Sequence, residues 1–169
     1  MPIAGPFRED GPRLPIEFSR VSLDGRVTLV IDPAAPLLRT LWIPLAVESL
    51  EEATLALGRR EKIVPEHWAD WVGRHVREAT EPPAGILHGI DDWLAQHSLD
   101  AVVWTALPSR GPDGTRSVPK LAMLLEYLEA LSGETRARAE QYVRRTPRVV
   151  RTPHRVRFEA VLGWHPRDA

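Results

Sequence analysis

The sequence predicts an α+β (mixed α/β) domain, with strands in its first third and helices in its last. Three observations carry that expectation. Short β-branched and alternating apolar runs fill residues 14–47, apolar residues recur at helical spacing from residue 50, and a leucine stripe marks a helix after residue 117. At about 100–200 residues per domain, a length of 169 holds one domain, placed at residues 14–169. Residues 1–13, rich in Pro, Gly and charge, read as an irregular lead-in.

Leu14 to Ser22 alternates Leu14, Ile16, Phe18 and Val21 against Glu17, Ser19 and Arg20, with one slip. Asp24-Gly25 then supplies a tight turn and Arg26 to Ile31 a β-branched run, together a hairpin. Leu37 to Val47 is a third strand, with Pro44 favouring an edge or a bulge.

The period then changes to that of a helix. Ser49 and Glu52 form a capping box, and Leu50, Ala53 and Leu57 share one face of a helix from 50 to about 61. Residues 62–80 carry Trp68, Trp71, Val72 and Val76 at helical spacing, and Glu81-Pro82-Pro83 ends that stretch. A helix over 86–97 presents Ile90, Trp93 and Leu94, and Asp100 to Leu107 is a buried strand. Ser117 caps a helix striped by Leu121, Leu124, Leu125, Leu128 and Leu131. A second spans 134–145, and a third opens at Thr152-Pro153 and stops at Gly163.

Composition excludes some chemistry. The 22 basic and 23 acidic residues nearly cancel, which removes any whole-chain attraction to nucleic acid or anionic membrane. Zero cysteines exclude disulfides, thiolate nucleophiles and Cys-ligated zinc. The start has no basic-then-apolar pattern of a signal peptide, and no apolar run approaches the roughly 20 residues that span a bilayer. A soluble, cytoplasmic protein is expected. Residues 134–169 carry nine bases and four acids, so a basic end follows an acidic body. Its arginines are interrupted by Pro147 and Pro153, and a solvated face suits them better than a phosphate-binding one.

Phosphate-cradling glycine loops and the nucleophile elbow are absent. The six histidines never take the spacing of a zinc-binding helix and read as surface residues, and no metal is expected. Trp68 and Trp71 read as core. The most informative string is Arg59-Arg60-Glu61-Lys62, one carboxylate among three cations at a helix end.

Several stretches together resemble a bacterial branch of the γ-glutamylcyclotransferase-like superfamily, which includes the ChaC-type and AIG2-type domains. They are Gly11-Pro12 with LPIEFSRVS (14–22), DGRVTLVID (24–32), RREK (59–62), DAVVWTALPSR (100–110) and TPHRVRFEAVLGW (152–164). The resemblance covers about residues 11 to 164 and implies a curved mixed sheet or small β-barrel flanked by helices. It also implies cofactor-independent cleavage of a γ-glutamyl amide to 5-oxoproline and a free amine. The family's glutamate, general base and then general acid, maps onto Glu61. Glu17 and Arg20 are candidates for the substrate's charged α-amino-acid end, and Trp104 and Thr105 for the pocket wall.

Family members open with a strand ending in a Gly-Ser-Leu-like loop whose amides hold the γ-glutamyl group, and no such string occurs here. Two expectations therefore stand side by side. One is an enzyme acting on a small γ-glutamyl compound. The other is a non-catalytic relative that binds a ligand or partner, with an exposed sheet edge through which a homodimer forms.

Overall fold

A computed structural model describes residues 1–78 and 89–167 of the chain. The expected break at Glu81-Pro82-Pro83 and the first residues of the helix expected at 86 lie outside the described residues. The fold is α+β, as expected: small antiparallel sheets and six α-helices, with no closed barrel among the described residues. No helix among them is long and apolar enough to cross a membrane.

The chain divides into two compact units, one of Met1–Leu14 with Arg39–Leu107 and one of Pro15–Leu38 with Pro108–Ala169. In the second, β1 (Arg13–Val21) pairs antiparallel with β2 (Val27–Ile31), and β3 (Leu37–Arg39) flanks β1 in the order β2-β1-β3. The turn between β1 and β2 needs Gly25, whose φ of 83° is left-handed. A Cβ there would also lie 2.5 Å from Thr135 Cγ2. Tyr127 Oη donates to the Gly25 carbonyl at 2.9 Å, which ties the turn to the helical layer.

That layer is α4 (Leu121–Ala130), α5 (Gly133–Arg145) and α6 (Pro153–Leu162). The leucine stripe does what its spacing predicts: Leu124 and Leu128 are fully buried with Phe18, Val27, Val143 and Phe158. Phe18 sits at the centre, edge-on to Phe158 at 5.8 Å and to Tyr142 at 6.2 Å. Arg155 departs from the solvated face expected of the tail. Its guanidinium is 1% exposed and donates to the carbonyls of Thr146, Pro147 and Val150 at 2.5–2.8 Å, with Glu159 at 3.3 Å. Thr146 caps α5 and Pro147 and Val150 lie in the connection to α6, so the buried guanidinium ties that connection together through its carbonyls.

The first unit corrects three expectations. Strand pairing around residues 37–47 is broken after Arg39, because residues 40–46 take the lead-in as their partner. Arg8 and Trp42 exchange both backbone hydrogen bonds, Ala4 donates to Pro44 and Gly11 to Thr40, so the lead-in is pinned along its length. Residues 62–80 are not one helix. A 3-10 turn (Pro65–His67) leads into the single turn α2 (Trp68–Trp71), after which β4 (Val72–Val76) runs antiparallel to β5 (Ala101–Thr105). Val72 and Val76 follow strand alternation as well as helical spacing, and pairing with β5 decides between them. β5, expected to be buried, is half-buried throughout.

The remaining helices of this unit are α1 (Leu50–Arg60) and α3 (Ile90–Gln96). Ser49 caps α1 by accepting from the Glu52 amide at 3.1 Å, while Glu52 reaches back one residue further than a capping box requires, to the Glu48 amide. α1 packs on the β4–β5 pair through Leu57, Ile63, Val72 and Val103.

Candidate functional site

Glu61 is the C-cap of α1, and its placement follows from how that helix stops. Lys62 takes a left-handed φ of 55°. Its amide donates to the Arg59 carbonyl at 3.2 Å, and the Ile63 amide reaches the Gly58 carbonyl at 2.9 Å. These two bonds consume carbonyls that the helix end would otherwise leave unpaired. Ile63, only 6% exposed, packs beside Leu57 and anchors the turn. Trp68 completes the clamp: its Nε1 donates to the Ile63 carbonyl at 2.7 Å, and its ring lies on Gly58. A Cβ at Gly58 would stand 2.7 Å from that nitrogen.

The clamp holds the Glu61 side chain at the surface, one-third exposed, with Arg60 Nε 3.5 Å from one oxygen. A pair this exposed contributes at most about 1 kcal/mol, so it positions the carboxylate without adding much stability. Beside it, on the outer face of α1, an open groove of about 420 Å³ is lined by Met1, Pro2, Glu52, Leu55, Ala56, Arg59 and Arg60. Glu61 borders that groove in sequence without lining it.

Of the strand candidates in this unit, Thr105 pairs with Val72 and so shares the sheet face on which α1 packs. Trp104 pairs with Gly73 and alternates to the opposite face, where its indole lies over that glycine. A Cβ at residue 73 would fall inside the ring's van der Waals radius, which accounts for glycine in mid-strand.

Glu17 and Arg20 belong to the other unit. The alternation of β1 places Glu17 and Ser19 on a solvated face, yet Glu17 is 4% exposed and Ser19 fully buried. The reason is α6, which lies over them. Glu17 Oε2 accepts from the His154 amide at 3.1 Å and Oε1 from the Phe18 amide at 2.8 Å. Thr152 Oγ1 accepts from Arg155 N at 3.2 Å, so two open donors of the α6 N-terminus are filled. Both Glu17 oxygens are thus committed to backbone donors. Arg20 is half-buried and donates through Nη1 to the Pro108 carbonyl at 2.6 Å.

Two histidine–carboxylate pairs escape a reading of the histidines as surface residues. His75, 5% exposed, meets Asp91 at 2.7 Å. His97 meets Asp10 at 3.1 Å and the Trp93 carbonyl at 2.8 Å, so both ring nitrogens face acceptors and the imidazolium satisfies both. Trp42 and Trp93 enclose that ring at 5.2 and 4.9 Å, and their own Nε1 groups donate to Asp10. The hydrogen bonds from His97 and Trp42 lower the Asp10 carboxyl to about 2, and the bond to Asp10 raises His97 above its ordinary value. Neither pair has a sequence signature, because the partners are 16 and 87 residues apart. Among the described residues, no group of three His, Asp or Glu side chains is placed to hold a metal ion.

No protein-family model, curated protein or solved structure matches this chain.

Proposed function

We propose that this chain is a γ-glutamylcyclotransferase-like protein in which Glu61 moves the proton during closure of 5-oxoproline. The reading rests on the resemblance in Arg59-Arg60-Glu61-Lys62 and the four other stretches. The observation that supports it most directly is the clamped turn. A general base must be reachable by its substrate and held in place, and Glu61 is solvent-accessible on a turn fixed by Ile63 and Trp68.

In the proposed reaction the substrate's α-ammonium loses a proton to the Glu61 carboxylate. The freed amine attacks the γ-carbonyl of the same molecule, and the amide C–N bond breaks. Glu61 returns the proton to the departing nitrogen while the attacking nitrogen, now in the ring, gives its second proton to water, so the products are 5-oxoproline, a free amine and a proton. Because nucleophile and electrophile share one molecule, ring closure needs little orientation from the protein.

The openness of Glu61 favours a second reading. The carboxylate lies beside the α1 groove and not within it, which suits a non-catalytic relative that binds a ligand or partner. Incubating the purified protein with γ-glutamyl amides and following 5-oxoproline by mass spectrometry separates the two. Release above the protein-free rate supports the enzyme, and none at any substrate supports the binding relative.

A further inference from the structure

Residues 2–12 of the lead-in and residues 40–46 form a two-stranded ribbon. The exchange between Arg8 and Trp42, at 2.9 and 3.0 Å, and the bond from Gly11 N to the Thr40 carbonyl, at 3.0 Å, hold its strands together. The ribbon lies against the C-terminal end of α3, which His97 caps. Among the described residues, the hydrogen bonds between ribbon and helix end on Asp10: its Oδ2 meets His97 Nε2 at 3.1 Å, and its carbonyl accepts from Trp93 Nε1 at 2.8 Å. Oδ1 accepts from Trp42 Nε1 at 2.7 Å, so one residue gathers both strands and the helix. Trp42 stands edge-on to Trp93 at 5.4 Å and closes the joint. Elsewhere apolar burial does little to hold the lead-in, since Ile3 and Phe7 are 49% and 55% exposed.

The joint needs a charged ring. Nδ1 of His97 faces the Trp93 carbonyl at 2.8 Å and Nε2 faces the Asp10 carboxylate, oxygens that only accept. A neutral imidazole has one N–H for these two acceptors. Loss of the proton therefore sets a nitrogen lone pair against an oxygen and removes the attraction to Asp10. The charged groups acting on His97 are Asp10, which favours the imidazolium, and Arg8, which opposes it, both on the lead-in. Residues 40–46 bring Trp42 to the ring and α3 brings Trp93, neither of which titrates. The acids of α3, Asp91 and Asp92, lie in its first turn, at the other end of the helix. Hydrogen bonds from His97 and Trp42 hold Asp10 at about 2, so it stays ionised wherever His97 titrates.

We propose that the Asp10 joint is a proton-operated latch: with His97 protonated the ribbon is fastened to α3, and loss of that proton shifts the ribbon toward release, baring the indoles of Trp42 and Trp93. The latch lies wholly within the first unit and stands apart from the reading of Glu61. Because the hydrogen bond to Asp10 raises His97 above 6.5, the latch is shut below that pH and loosens as pH rises through the folded value.

The test is hydrogen exchange of the Trp93 indole N–H in the whole protein, followed by nuclear magnetic resonance at about pH 5.5 and about pH 8.5, on either side of an ordinary histidine. Protection is taken relative to a free indole at the same pH. Trp68, whose Nε1 donates to the Ile63 carbonyl in the same unit, is the internal control. Protection of Trp93 should fall about fivefold or more between the two conditions, as loss of one charge-assisted hydrogen bond to a half-exposed carboxylate entails, while that of Trp68 holds. In His97→Gln the fall should be absent. The latch is overturned by equal Trp93 protection at both pH values, by an equal fall at Trp68, which would be loosening of the whole unit, or by an undiminished fall in His97→Gln. If His97→Gln fails to fold, Asp10→Asn carries the test, with a smaller fall at Trp93 expected and an undiminished one refuting the latch.

Discussion

Gly58→Ala should destabilise the protein, against the usual direction of that substitution in a helix. Replacing a helical glycine by alanine ordinarily stabilises by about 0.5–1 kcal/mol. At Gly58 the added methyl would stand 2.7 Å from Trp68 Nε1, 2.9 Å from Cδ1 and 3.1 Å from Cε2, so the indole has to move. Overpacking of this kind costs about 1–3 kcal/mol. Displacing the ring also breaks its hydrogen bond to the Ile63 carbonyl, about 0.5–1.5 kcal/mol more. Subtracting the helix gain leaves a net loss centred near about 2 kcal/mol. In a Trp68→Ala background the steric cost vanishes, and Gly58→Ala should stabilise by about 0.5–1 kcal/mol. Urea unfolding of the four proteins of this double-mutant cycle, followed by circular dichroism, reads both signs. Stabilisation by Gly58→Ala in the otherwise wild-type protein, or the same change in both backgrounds, would refute the clamp.

Other predictions concern the buried polar groups. Glu17→Ala should cost about 2–4 kcal/mol in urea unfolding, because the amides of Phe18 and His154 lose their acceptor. Arg155→Met should cost about 3 kcal/mol or more by the same measurement, since three carbonyls and Glu159 lose a buried charge partner. The Asp10–His97 pair makes stability depend on pH at both ends. His97 is raised above 6.5, so its contribution is complete below that pH and is lost as pH rises through the folded value. Asp10 is lowered from 3.8 to about 2, so its contribution is complete above 3.8 and is lost as pH falls through about 2. Asp10→Asn should flatten both limbs of a plot of urea midpoint against pH, and an unchanged profile would contradict the pairing.

What the sequence made legible was local. Ser49, the leucines of α4 and the Thr152-Pro153 start of α6 behave as their spacing predicts, because caps and stripes act within a few residues of themselves. The Asp-Gly hairpin is equally local. Long-range choices were hidden. Residues 72–76 satisfy two periodicities, and only β5, 25 or more residues away, selects the strand. The burial of Glu17 depends on α6, more than 130 residues on. At the candidate site, Glu61 was readable as a carboxylate among cations, but the turn that displays it was not. Its left-handed residue is Lys62 where glycine would have announced it, and its clamp uses Gly58 and Trp68 on either side.

The central claim concerns one carboxylate, and one comparison tests it most directly: 5-oxoproline release by wild type and by Glu61→Gln on the same γ-glutamyl amide. A surface cap side chain contributes little to the core, so the two proteins should unfold within about 0.5 kcal/mol of each other. The account predicts measurable release by wild type and none by Glu61→Gln at that equal stability. Equal release by both would contradict the assignment of Glu61.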